Sequence, residues 1–165
     1  MQSAHKSTAA VHSIDDQLLR LRQAQSRGEY RARILTGVPH VGSVGSLRVL
    51  RAIERAEAEG RSPSIREVAA EVGIEQSTAS RAVNETDRRG LTVRQACESD
   101  QRRVLLTLTD EGRAAADRAT QNRRDIVAEA LAGWSPDDVK TLDTLFSRFV
   151  GALSEVDAGD TEDAG

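Results

Sequence analysis

The stretch from Ser64 to Gly90 constrains the fold more than any other part of the chain. Ile65, Val68, Ala69 and Val72 recur at i, i+3, i+4 and i+7, which predicts a two-turn helix with a narrow apolar stripe. Gly73 stands where a left-handed C-terminal cap is wanted. Ser64 followed by Glu67 has the spacing of a capping box, in which hydroxyl and carboxylate each satisfy a backbone N–H that the helix leaves unpaired. After Ile74 a second helix begins near Glu75 or Gln76, turns Ala79, Val83 and Thr86 inward, and ends at Arg89–Gly90. Two short helices about a glycine turn make a helix-turn-helix.

Two strands are expected next, Leu91–Gln95 and Val104–Leu108, with Leu91, Val93, Val104, Leu106 and Leu108 alternating in the manner of a half-buried sheet. Between them lie polar or small residues, Ala96 to Arg103. A hairpin in this place is a wing, and its distal arm holds Asp100, Arg102 and Arg103. Such a tip beside a recognition helix is suited to the minor groove or the flanking phosphates.

The first turn of the second helix is chemically unlike other exposed helix surface in the chain. Gln76, Ser77, Thr78, Ser80 and Arg81 lie away from the apolar stripe, whereas an ordinary solvent face here is filled with Glu and Arg, as in Glu54–Glu59. Short hydroxyls and amides at a helix N-terminus permit close approach to phosphates and base edges, and a guanidinium can fork onto guanine. These five residues, with Arg102 and Arg103, are the candidate DNA contacts.

The flanks read as helices. Val11–Leu35 has apolar residues spaced by three or four, as one long or slightly broken helix, and Thr36–Gly45 breaks it before a helix starting at Ser43 or Ser46. Leu47, Leu50 and Ile53 form one stripe of that helix, which ends near Gly60. Thr109–Ala132 is a long helix. Ser135–Pro136 then caps a last one, whose Val139, Leu142, Leu145, Phe146, Phe149, Val150 and Leu153 share a face. This face is the richest apolar surface of the chain, so a dimer is expected, with Val139, Leu142, Leu145, Phe146 and Phe149 at its centre.

The expected fold is therefore mainly α with a small β-wing. A winged helix-turn-helix domain (43–108) is flanked by an N-terminal helix (11–35) and C-terminal helices (109–153) that dimerise, with a flexible start (1–10) and a disordered acidic tail (154–165).

Composition removes other classes. One cysteine, Cys97, and three scattered histidines exclude a disulfide framework and offer no metal set, and no cofactor is expected. No nucleophile–His pair or catalytic carboxylate pair is visible, so an enzyme is not expected. No apolar run reaches the roughly 20 residues needed to span a bilayer, and the polar start lacks a signal-peptide core, so a cytoplasmic protein without membrane contact is expected. Gly37–Gly42 has the glycine spacing of a phosphate loop without its lysine. Acids flanking Cys97 would raise its thiol pKa, which favours an inert residue. The net charge of −3 looks wrong for a DNA binder, but Ser154–Gly165 holds five acids and no base. Within Arg88–Arg103, five Arg face only Glu98 and Asp100.

The ordered pieces Ile65–Ile74, Ser77–Arg81, Arg89–Leu91, Asp100–Arg102 and Leu108–Gly112 together resemble the MarR family of bacterial transcription regulators, with Thr86 where that family usually has Leu. The resemblance implies a homodimer on double-stranded DNA, probing a pseudo-palindromic operator as a repressor. It puts Gln76, Ser77, Thr78, Ser80 and Arg81 on the recognition helix, Arg102 in the minor groove, and Asp100 in the role of steadying the wing. It also implies a small phenolic or other anionic aromatic effector, for which Tyr30, Arg33, His40 and Arg48 are candidate liners. The alternative is a winged-helix protein–protein module without a specific DNA target.

Overall fold

The computed structural model describes residues 2–96 and 104–159, with side chains described over 8–96 and 104–156. Seven helices and one hairpin follow in order: α1 (Gln2–Ser26), α2 (Gly28–Leu35), α3 (Val44–Ala58), α4 (Ile65–Val72), α5 (Gln76–Arg88), β1 (Thr92–Ala96), β2 (Val104–Leu108), α6 (Asp110–Ala130) and α7 (Pro136–Gly159). They divide into two compact units, Met1–Arg124 and Asp125–Gly165.

In the first unit the N-terminal helix is broken at Arg27, whose backbone is extended (φ −65°, ψ 144°). Residues 2–10, expected as a flexible lead-in, are helical and belong to α1. Val11, Ile14, Leu19 and Leu21 of α1 remain exposed. The core lies further along. Val49, Leu50 and Ile53 of α3 are completely buried, joined by Val68 and Ala69 of α4, Ala79 and Val83 of α5, Leu91, Leu106 and Leu108 at the hairpin, and Ala115, Ala116 and Ala119 of α6. Alanine dominates the α6 contribution, which lets that backbone approach its neighbours closely.

β1 and β2 pair antiparallel, with Thr92 opposite Leu108, Arg94 opposite Leu106 and Ala96 opposite Val104. The expected phase of β1 is corrected. Thr92 is buried and Val93 exposed, and Val104 is exposed as well. Leu91 is inward, but it precedes the strand, closing α5 through its N–H to the Thr86 carbonyl (2.9 Å). The buried hydroxyls of Thr86 and Thr92 lie 3.0 Å apart. Thr86 gives its one proton to the Val83 carbonyl (2.9 Å), so Thr92 is the donor within the pair.

The base of the hairpin is fastened on several sides. Leu106 N–H donates to Pro63 O (2.9 Å), Thr109 N–H to Leu91 O (3.1 Å), and Leu108 N–H to Glu57 Oε1 (2.9 Å). Glu57 also pairs with Arg113 of α6, whose guanidinium is held firmly protonated by that hydrogen bond. One carboxylate thus joins α3, β2 and α6.

In the second unit Ser135 accepts from Asp138 N–H (3.2 Å), and its hydroxyl meets Asp138 Oδ2 (2.6 Å). Pro136 opens α7 as expected. The helix continues through Gly159, so residues 154–159, expected to be disordered, are helical. Leu142, Leu145, Phe146, Val150, Leu153 and Val156 of α7 are exposed, while Val139 and Phe149 are half-buried.

Candidate nucleic-acid interface

The local sequence builds the helix-turn-helix as its spacing predicts. Ser64 Oγ accepts from Glu67 N–H (3.3 Å) while Glu67 Oε2 accepts from Ser64 N–H (2.7 Å). At the other end Gly73 adopts φ 67°, a left-handed conformation that a side chain would strain. There Ile74 N–H reaches Ala69 O and Gly73 N–H reaches Ala70 O, the paired bonds of a Schellman turn. α5 then begins at Gln76 with Glu75 before it and no side-chain cap, which leaves its first N–H groups open.

Ala79, Val83 and Thr86 anchor α5 in the core. Gln76, Ser77, Thr78 and Arg81 are exposed, and Ser80 is half-buried. The structure adds two residues to the candidate DNA contacts. Asn84 and Arg88 are exposed and continue the row Ser77, Arg81, Asn84, Arg88, spaced by four, three and four along one helix face. An open depression of about 550 Å³ is lined by Arg81, Asn84, Glu85, Arg88 and Arg89.

Other arginines near α5 are engaged by acids just upstream of the basic window. Arg89 Nη2 pairs with Glu85 Oε1 (3.2 Å), and Arg94 Nε with Asp87 Oδ2 (3.2 Å). The local excess of positive charge counted from Arg88 onward is thereby reduced, because the count began one residue after Asp87. Arg88 Nε donates to the Asn84 carbonyl (3.2 Å).

α5 is also tied to the chain before α3. Ser46 Oγ donates to Glu85 Oε2 (2.7 Å), and Arg89 Nη1 donates to the His40 carbonyl (3.3 Å). The approach is so close that a Cβ on Gly42 would overlap Glu85 Oε1 and lie 2.6 Å from Arg89 Nη2. A side chain there would require the ends of Glu85 and Arg89 to shift.

Asp100, Arg102 and Arg103, and Cys97, lie outside the described residues. Of the candidate effector residues, Tyr30 and Arg33 are on α2, and His40 is in the following loop at a left-handed φ of 61°. Arg48, on α3, donates to Val72 O at the end of α4 (2.6 Å). The contacts of His40 and Arg48 therefore run to α5 and α4, not to each other. A separate depression of about 760 Å³ lies between α3 and α6, with Arg51, Arg118, Arg124, Thr120 and Gln121 beside Glu54 and Asp117. Desolvation, then the charge of Arg123, lowers the pKa of Arg51, which donates to Thr120 Oγ1 (2.7 Å). Among the described residues, no three His, Cys, Asp or Glu gather to hold a metal, and no helix is long and apolar enough to cross a membrane.

A helix-turn-helix with a polar stripe on its second helix, closed by an antiparallel hairpin and a following helix, defines a winged helix-turn-helix protein. Residues 42–103 match the MarR family model. The chain is 27% identical over 109 residues to the uncharacterised HTH-type transcriptional regulator YwhA of Bacillus subtilis, covering 66% of this chain and 75% of YwhA. Its fold resembles a probable transcriptional regulator from Pseudomonas aeruginosa (28% identity, TM-score 0.60, 82% of this chain and 98% of that one). It also resembles the PcaV transcriptional regulator of Streptomyces coelicolor, solved with its natural ligand (27%, 0.57, 82% and 90%). Over residues 42–103 the chain is thus similar to MarR-family regulators.

Proposed function

We propose that this protein is a transcriptional repressor that binds a pseudo-palindromic operator as a homodimer. The observation that carries the reading is the exposed row Ser77, Arg81, Asn84 and Arg88 on a second helix whose opposite face is locked in the core. In a two-fold dimer the two α5 helices would enter successive major grooves about 34 Å apart, with Gln76, Thr78 and Ser80 near the phosphates at the helix start. Arg102 and Arg103 would follow the groove outward, with Asp100 steadying them. Repression would be steric.

Selection from random DNA is expected to enrich an inverted repeat. Arg81→Ala should then weaken operator binding by about 10- to 100-fold at physiological salt, the loss of one guanidinium–base contact. Equal affinity of parent and variant would remove Arg81 from the interface. Failure to enrich any repeat at low salt would favour a protein–protein module.

The dimer reading is supported by apolar side chains of α1 and α7 exposed in the single chain, where Leu145 and Phe146 are each about half accessible. Introducing Phe146→Glu would place an unpaired carboxylate in that surface, and sedimentation should show dimer dissociation favoured by at least about 100-fold. A variant as dimeric as the parent would exclude this face.

A second layer is control by a small-molecule effector, a reading supported by the structure of PcaV with its natural ligand. A small anionic aromatic compound is the class the sequence resemblance implies. Tyr30, Arg33, His40 and Arg48 are the candidates from sequence. The depression between α3 and α6, which gathers Arg51, Arg118 and Arg124, is a second place where an anion could be held.

A further inference from the structure

Asn84 sits in the middle of the exposed row of α5, yet half of its side-chain amide is already engaged. Arg94 Nη2 of β1 donates to Asn84 Oδ1. A guanidinium carries donors only, so the amide atom that faces it must be the oxygen, and the orientation of the amide follows from chemistry. Arg94 is itself fixed, with Nε on Asp87 Oδ2 (3.2 Å) and its strand position opposite Leu106. Its planar fork therefore spans two side chains three residues apart on α5, at Asn84 and Asp87.

We propose that Asn84 is a specificity-determining residue of the DNA site, locked by Arg94 so that it offers the major groove its N–H donors and not its oxygen. The inference rests on the DNA-binding reading above and goes beyond it by assigning a base preference. A free asparagine favours adenine because it accepts from N6 and donates to N7 at once. With Oδ1 held toward β1, its remaining lone pair can meet adenine N6 only from the direction Arg94 fixes, which disfavours that two-bond match. The outward Nδ2 suits acceptor edges instead, namely guanine O6 and N7 or thymine O4. Arg94 is thus a positioning residue, acting on DNA through Asn84.

The test begins with the operator selected by the full-length parent. Each base pair of one half-site is varied, and binding is measured for the parent and for Asn84→Ala, Asn84→Asp and Arg94→Ala. The parent should prefer guanine or thymine at one pair by about tenfold, and Asn84→Ala should flatten that preference while leaving the other positions unchanged. Asn84→Asp keeps a partner for Arg94 but has no donor, so it should also lose the preference without loosening the hairpin. Arg94→Ala frees the amide and should move the preference at the same pair toward adenine by at least threefold, roughly 0.7 kcal/mol. Should Arg94→Ala melt below the assay temperature, the two Asn84 variants decide alone. The proposal is overturned if Asn84→Ala lowers affinity equally for all four bases, which would make Asn84 a phosphate contact, or if a folded Arg94→Ala leaves the preference unmoved. Enrichment of no operator by the parent would instead sink the DNA-binding reading, and this assignment with it.

Discussion

Gly112→Ala is expected to destabilise the first unit by about 3 kcal/mol or more, read as a lower denaturant midpoint with an unchanged slope. The reason is a backbone contact that cannot yield. A Cβ at Gly112 would overlap the Leu91 carbonyl oxygen and lie 3.0 Å from its carbon. That carbonyl already accepts from Thr109 N–H, and Thr109 Oγ1 bridges Gly90 O (2.7 Å) and Gly112 N–H (3.0 Å). α6 would have to lift from the turn that ends α5, breaking its own N-terminal cap. Gly28→Ala is the control, since nothing lies within 4 Å of a Cβ there. A Gly112→Ala protein as stable as this control would show that the close approach is not required.

Leu50→Ala should cost between about 2 and 5 kcal/mol by thermal or denaturant unfolding. Leu50 is fully buried among Val49, Ile53 and the core faces of α4 and α5. With aromatics at only 2% of the chain, this core is filled by aliphatic side chains, and no large neighbouring ring can tilt into the cavity. Against the 5–15 kcal/mol typical of a whole domain, such a loss removes a large share of the stability. A change below about 1 kcal/mol would mean that α3 is not the centre of the core.

The two caps of the helix-turn-helix were legible because each rests on residues three to five apart, Ser64 with Glu67 and Ala69–Ala70 with Gly73–Ile74. The inward residues of α5 were legible for the same reason. The same periodicity marks Asn84 and Arg88, since a polar row repeats as regularly as an apolar one. What local pattern could not supply are contacts between distant residues. Glu57 meets Leu108 across 51 positions, and Arg89 meets His40 across 49. The pairing of Arg94 with Asp87 spans a turn of chain, so a charge count by window separated the partners. Periodicity in Val11–Leu35 was equally consistent with an intact helix, and Gly28, directly after the break at Arg27, is its one local signal. An acidic composition for 154–159 gave no weight to the helix that α7 carries through it.

Thr86 and Thr92 have a consequence for the direction in which the hairpin leaves the core. By hydrophobicity alone, Val93 and not Thr92 would have faced inward. With Thr92 inward its buried hydroxyl finds an acceptor in Thr86 Oγ1, whose own proton goes to the Val83 carbonyl. Two oxygen atoms beneath the last turn of α5 thus accompany the strand phase that an apolar count alone would not choose. In that phase Arg94, two residues beyond Thr92, meets Asn84 and Asp87 of α5, directly beneath the row proposed to face DNA.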